Sequence, residues 1–380
     1  MSLIYLDYAA TTPAAPEVAE VMAGFLTREG CFANPASRSH LAGWQAEQAV
    51  EKARRQLARL LGADPRELVW TSGATEANNL ALIGAARANS ERGRHLITSS
   101  IEHKAVLDTC SWLEKQGYEI TRLTPDASGR VGAHQVREAL RPDTLLVSLM
   151  LINNELGSIN PIAEIGQLLA EHPCLFHVDA AQAVGKLALD VNALGVDLLS
   201  LSGHKFYGPK GVGALYVRRD PPVKLEALIH GGGHERGRRS GTLPTHQLAG
   251  IGEAARLAFE CLEEDARHLT LCKNRFLEPL NPAWYRINAA HQDNWPGILN
   301  LAFPGIEAET LILALPELAV STGSACNSAT LDPSYVLTAL GLPRALALAS
   351  VRFSFGRYLS LEEARHAGQQ LNQALERLQP

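Results

Sequence analysis

Between Glu67 and Val217 the hydrophobic positions fall into short, nearly continuous runs, separated by longer stretches in which apolar residues recur at helical spacing. The strand candidates are Glu67–Thr71, His95–Ser99, Glu119–Leu123, Thr144–Met150, Cys174–Asp179, Asp197–Leu201 and Val212–Val217. Several are apolar almost throughout, as strands covered by helices on both faces must be. The pattern predicts an α/β fold with an open, mostly parallel seven-stranded sheet, and such sheets place ligand sites at the carboxyl ends of their strands. Ahead of it, Leu41, Trp44, Val50, Ala53, Leu57 and Leu60 trace one helix face that stops at Gly62. A second helical stretch, Leu248–Phe276, leads to a carboxyl-terminal region. There strands are expected at Ile298–Phe303 and Val351–Phe355, and helices at Glu307–Leu315, Pro333–Leu340 and Leu361–Leu378. No internal repeat interrupts this order.

Composition narrows the function classes. The 380 residues suit a large domain plus a smaller one, and 46% hydrophobic with 20% charged residues is ordinary globular composition. A net charge of -5 gives no footprint for nucleic acid; Arg236, Arg238 and Arg239 form the one evident basic cluster. The start, Met1 to Asp7, lacks the basic, apolar pattern of a signal peptide. The longest apolar stretch, near Leu145–Ile152, reads as a buried strand and not a membrane span. Six cysteines, at 31, 110, 174, 261, 272 and 326, show neither a CxxC pair nor zinc spacing. A cytoplasmic protein with free thiols, and without a bound metal, is expected.

Three constellations come directly after strand candidates. Thr71-Ser-Gly-Ala-Thr-Glu-Ala-Asn-Asn79 turns from a strand into a helix, whose first N–H groups and Thr75 hydroxyl suit a phosphate, or simply form an N-cap. His177-Val-Asp-Ala-Ala-Gln182 sets a carboxylate at a strand end, where Asp179 either caps the next helix or keeps a pyridinium nitrogen protonated. Ser200-Leu-Ser-Gly-His-Lys-Phe-Tyr-Gly-Pro-Lys-Gly211 sets Lys205 in a tight turn, and a desolvated lysine forms imines with aldehydes. Each alone has a bland explanation. Together, phosphate donors, pyridinium partner and imine lysine describe a site for pyridoxal 5'-phosphate.

The full order of motifs resembles the cysteine desulfurases, in the class V aminotransferase group of fold-type-I pyridoxal enzymes. It comprises Leu6-Asp7-Tyr8-Ala9-Ala10-Thr11-Thr12, Ser-Gly-Ala-Thr-Glu, Ile101-Glu-His-Lys104, Asn-Asn-Glu-x-Gly, His-Val-Asp-Ala-Ala-Gln, Ser-Gly-His-Lys-x-x-Gly-Pro-Lys-Gly, Arg-Ser-Gly-Thr and Arg352-Phe-Ser-Phe-Gly-Arg357. The resemblance implies roles. His103 stacks on the cofactor ring and shuttles protons; Asn154 lies near ring and substrate; Gln182 bonds the ring hydroxyl. Ala74, Thr75, Ser202, Gly203 and His204 hold the cofactor with Lys205, joined by Thr242 from the partner in a homodimer. Asn34 and Arg352 hold the substrate carboxylate, a task suited to the guanidinium fork. The implied division is a large domain over 14–260 and a small one over 1–13 and 261–380, with a catalytic-cysteine loop at about 321–333.

Within that loop, Val320-Ser-Thr-Gly-Ser-Ala-Cys-Asn-Ser-Ala-Thr-Leu-Asp-Pro333 is rich in small residues without periodicity, and its one distinctive group is the Cys326 thiol. It resembles the longer-loop branch of the family. Cys326 is therefore expected to take sulfur from L-cysteine as a persulfide, with alanine released, and to serve at most as a transient iron–sulfur ligand. Sulfur acceptors implied are an iron–sulfur scaffold, a tRNA-thiolation relay or a DNA-phosphorothioation protein. A selenocysteine lyase or a class V aminotransferase would use Lys205 and Asp179 without needing Cys326, and a non-catalytic scaffold would need none of them.

Overall fold

Strand and helix boundaries follow the sequence pattern closely. A computed structural model describes residues 3–322 and 332–378. The elements are β1 (Ile4–Tyr5), α1 (Pro16–Ala23), α2 (Leu41–Leu61), β2 (Leu68–Thr71), α3 (Ala74–Ala88), β3 (His95–Ser99), α4 (Lys104–Lys115), β4 (Glu119–Leu123), α5 (Ala133–Ala139), β5 (Thr144–Met150), α6 (Ile162–Leu169), β6 (Leu175–Asp179), β7 (Leu198–Ser202) and β8 (Gly213–Val217). The 33-residue helix α7 (Thr245–Leu277) comes next, then β9 (Arg286–Ile287), β10 (Ile298–Ala302), α8 (Ala308–Leu313), β11 (Leu318–Ala319), α9 (Tyr335–Ala339), α10 (Arg344–Leu348), β12 (Ser350–Ser354) and α11 (Leu361–Leu378).

The main sheet has seven strands in the order β2-β8-β7-β6-β5-β3-β4. Strand β8 runs antiparallel to both its neighbours; the other pairings are parallel. Strands β2, β3, β5, β6, β7 and β8 are buried at every position, which explains their unbroken apolar character. Helix α2 is capped at its start by His40, whose Nδ1 accepts from Gly43 N–H, and at its end by Gly62 with φ of 66°, the left-handed cap a glycine supplies without strain.

A three-stranded antiparallel sheet, β12-β10-β9, carries the carboxyl-terminal part. Phe276 of α7 packs edge-on to tilted against Phe353 and Phe355, tying that sheet to the long helix. The expected boundary at 260/261 falls inside α7, which runs unbroken through it. The amino terminus belongs with the carboxyl-terminal part at first: β1 pairs with β11, and Leu6 accepts from Ser354 N–H. It then crosses to the main sheet, where Thr12 N–H donates to the His204 carbonyl. Among the described residues no helix is long and apolar enough to cross a membrane.

Candidate active site

A cavity of about 520 Å³ lies at the carboxyl ends of the parallel strands. Its lining includes Ala74, Thr75, His103, Asn154, Asp179, Gln182, Ser202, His204, Lys205 and Arg352. Residues more than 270 positions apart in sequence thus meet because each follows a strand end or, for Arg352, sits within β12.

The phosphate end is built on backbone. Helix α3 begins at Ala74 behind Gly73, with no side chain capping its first turn. Its leading N–H groups therefore lack intrahelical partners and form an anion site. Gly73 has φ of 153°, and Gly213 on β8 packs directly against it: a Cβ on Gly213 would lie 2.7 Å from the Gly73 Cα. Only glycine allows this approach. Ser202 closes β7, and Gly203 to Lys205 form a single 3-10 turn.

Lys205 Nζ donates to the carbonyls of Ala9 and Ala10, each at 2.8 Å. His204 Nδ1 lies 3.1 Å from Thr11 Oγ1, and burial with the nearby Lys205, Lys210 and Lys186 cations pushes its pKa down to about 4. The amino-terminal segment is thereby fastened across the lysine turn.

Asp179 closes β6. Its Oδ2 accepts from Asn78 Nδ2 at 2.7 Å and its Oδ1 from Ala181 N–H at 2.9 Å. It holds the turn that follows β6, where no helix begins, and it also lines the cavity. His103 caps α4, its Nδ1 accepting from Ala105 N–H at 3.1 Å. A neutral His103 therefore carries its proton on Nε2. Burial lowers its pKa, aided by Lys205 and opposed by Asp179.

Arg352 donates to Asp7 Oδ1 and to the Asn154 carbonyl. Asn154 Oδ1, also at the cavity, is buried without a hydrogen-bond partner among the described residues. Gln182 donates from Nε2 to the Ala9 carbonyl at 2.7 Å. Three expected residues of the described chain stand apart from the cavity lining: Gly203 is buried in the lysine turn, Asn34 is exposed in a loop, its Oδ1 accepting from Ala36 N–H, and Thr242 is exposed. Cys326 lies outside the described residues.

The basic cluster is tied down rather than spread as a patch. Arg239 pairs with Glu76 at 2.8 Å, and Arg236 donates to the Arg66 carbonyl. Their segment is pinned by a buried pair, Arg54–Glu235 at 2.9 Å, with Trp70 N–H also donating to Glu235. Sequence reasoning passed over Asn78, Asp7 and Lys186 as site residues. Asn78 and Asp7 lie inside motifs already singled out, but nothing local says what a side chain 101 or 345 residues distant will contact.

An uncapped helix start, a lysine, a strand-end carboxylate and an orphaned amide oxygen converge on one cavity. This donor set fits pyridoxal phosphate. The profile of the family described as "Aminotransferase class-V" matches residues 4–366. The chain belongs to that family.

Class V aminotransferases depend on pyridoxal phosphate, and so does this protein. Among curated relatives, "Cysteine desulfurase IscS" of Vibrio vulnificus (strain CMCP6) is 55% identical over 376 residues, covering 99% of this chain and 93% of the relative. Among solved structures, one titled "NIFS-LIKE PROTEIN" superposes with a TM-score of 0.91 at 35% identity, covering 98% of this chain and 99% of that one. Another, titled "SspA in complex with cysteine", gives 0.80 at 42% identity, covering 94% and 100%.

Proposed function

We propose that this class V family member is a cysteine desulfurase that converts L-cysteine to L-alanine and hands the sulfur to Cys326. The observation that carries the reading is the meeting of Lys205, Asp179, His103 and Arg352 on one cavity at the strand ends. Ala74 and Thr75 backbone groups, Ser202, Gly203 and His204 would hold the cofactor phosphate end, Gln182 its ring oxygen, and Asp179 its ring nitrogen. Bound there, pyridoxal phosphate supplies an aldehyde that links to amines and a ring that stabilises negative charge at the substrate Cα.

The chain's own residues do the rest. Arg352 binds the substrate carboxylate, with Asn154 beside it and Asn34 brought in from its loop. Asp179 keeps a proton on the ring nitrogen. Lys205 Nζ takes the Cα proton, and His103, poorly basic through burial, relays protons at the substrate thiol. Cys326 thiolate then attacks the substrate Sγ. The S–S bond forms as the Cβ–Sγ bond breaks, and the electron pair left on Cβ takes up a proton. The products are alanine and a Cys326 persulfide, with no external oxidant or reductant needed.

The working form is a homodimer in the cytoplasm, in which Thr242 of each chain reaches the neighbour's phosphate site. The persulfide passes to an acceptor protein. Two measurements test this reading on purified holoenzyme: alanine released from L-cysteine, and persulfide on the protein by mass spectrometry. Stoichiometric alanine and persulfide are expected. Alanine without protein persulfide points to a lyase, and amino-group exchange with a keto acid points to an aminotransferase. Sedimentation of the holoenzyme is expected to show twice the chain mass.

A further inference from the structure

Lys186 is a lysine that the proposed mechanism does not use. It follows the strand-end motif by four residues and lies below the cavity, in a small adjoining space of about 20 Å³ shared with Lys205 and Phe206. Its Nζ donates to Gln182 Oε1 at 2.5 Å. Gln182 in turn donates from Nε2 to the Ala9 carbonyl at 2.7 Å, and Lys205 donates to that same carbonyl at 2.8 Å. A chain of hydrogen bonds therefore runs Lys186–Gln182–Ala9–Lys205.

The chemistry of the two ends decides how the Gln182 amide is turned. An ammonium group only donates and a backbone carbonyl only accepts. With Lys186 on one side and Ala9 on the other, oxygen must face Lys186 and nitrogen must face Ala9. An Nε2 carries two N–H groups, and Ala9 uses one. Gln182 also lines the cavity. Its second N–H is the group left for a ligand acceptor.

We infer that Lys186 is a positioning residue that locks the Gln182 amide with its N–H donor toward the cavity, so that Gln182 binds the anionic ring oxygen of the cofactor. The inference rests on the reading of Gln182 as the ring-oxygen partner. Without Lys186 the Gln182 amide keeps only its hydrogen bond to the Ala9 carbonyl, and its Oε1 loses the donor that opposes a turn-over. The charged groups around the link are Lys205 and Arg352, both cations acting on Lys186, with Asp7 paired to Arg352 and Asp179 and His103 lining the cavity. Removal from water, and then crowding by those cations, bring the Lys186 pKa down to about 7. The ammonium form can only donate to Oε1, whereas the neutral amine can also accept, so the lock is firmest below that value.

The test uses holoenzyme without substrate and reads the visible absorption of the bound cofactor, its pH midpoint and the rate of cofactor loss. An N–H donor and a nearby cation both favour the anionic ring oxygen, which keeps the pH midpoint low. Lys186→Met is expected to raise that midpoint by about one unit and to speed cofactor loss about 10-fold, the worth of one charge-assisted hydrogen bond. Lys186→Gln, a smaller change, should shift both in the same direction and covers the case in which the methionine variant does not fold. Lys186→Arg, which still only donates, should restore values near wild type. Gln182→Leu separates the two claims. If Gln182→Leu shifts the band and the Lys186 variants do not, Lys186 does not position Gln182, while the ring-oxygen role of Gln182 stands. If Gln182→Leu leaves the band unmoved, that role is wrong and the inference falls with it.

Discussion

Arg352 donates from Nη2 to Asp7 Oδ1 at 2.7 Å and from Nη1 to the Asn154 carbonyl at 2.9 Å, joining β12 to both the amino-terminal segment and the cavity wall. The guanidinium is thus aimed by two partners, yet its Nε is buried without one among the described residues. Five N–H donors leave capacity for a substrate carboxylate beside the Asp7 pair. The arginine proposed to bind the substrate carboxylate is thus also one half of a structural ion pair.

That arrangement predicts the behaviour of Arg352→Lys. Lysine keeps the charge but loses the planar fork that meets a carboxylate on two atoms. The KM for cysteine should rise about 10- to 100-fold, the range of a charge-assisted hydrogen bond, while the bound-cofactor spectrum stays as in wild type. Alanine production across a cysteine titration gives the number. An unchanged KM would remove Arg352 from the carboxylate site.

Lys205→Ala should bind cofactor without a covalent link and lose the yellow band. Three other lysines could compete for the aldehyde, since Lys104, Lys186 and Lys210 all lie close to the cavity or line it. Borohydride reduction of wild-type holoenzyme followed by peptide mapping should place the label on Lys205 alone. A label on any of the other three would overturn the assignment.

For Cys326→Ala, cofactor binding and the spectral change on adding cysteine should persist, because they depend on Lys205, Asp179 and His103. Alanine release and protein persulfide should disappear. Three of the five remaining thiols are poor substitutes: burial pushes Cys110 and Cys174 up to about 12 and Cys272 up to about 11, and a thiol kept protonated is a weak nucleophile. Alanine per enzyme, measured with a thiol reductant for each Cys→Ala variant, decides the matter. Near-normal turnover by Cys326→Ala would refute the persulfide route.

Glu102, next to His103, is fully buried, accepts from Ser99 Oγ at 2.6 Å and has its pKa pushed up to about 8 by burial. The folded protein holds this proton while the unfolded chain releases it above the ordinary value of 4.5. Its contribution is therefore complete below 4.5 and drains away as pH rises toward 8, by on the order of 1 kcal/mol per pH unit. Glu102→Gln cannot lose a proton, so its melting temperature relative to wild type should climb between pH 5 and pH 8. A difference that stays flat across that range would show that Glu102 is ionised in the fold.

Period and punctuation were enough to read most elements from the chain. The His95–Ser99, Glu119–Leu123 and Thr144–Met150 strands and the Leu41–Leu61 and Leu361–Leu378 helices carry their boundaries in local pattern, and the structure reproduces them. Where boundaries moved, the ends were set by hydrogen bonding. Glu67 reads as the start of a strand, but its carboxylate caps back onto Asp64 N–H, so it ends a 3-10 turn and β2 begins at Leu68. The two-residue strands β1 and β11 have no local signature; they exist because Ile4–Tyr5 and Leu318–Ala319 meet.

The site divides in the same way. Lys205, Asp179 and the Gly73–Thr75 turn were legible because each follows directly on a strand, and strand ends in a parallel sheet point one way. Sequence alone determined those chemical groups and their order. Their partners were decided only by tertiary structure: Asn78 for Asp179, Asp7 for Arg352, Ala9 and Ala10 for Lys205. Hydrogen bonds between residues a hundred or more positions apart depend on how the sheet twists and where the amino terminus crosses it, and no periodicity within one segment encodes that crossing.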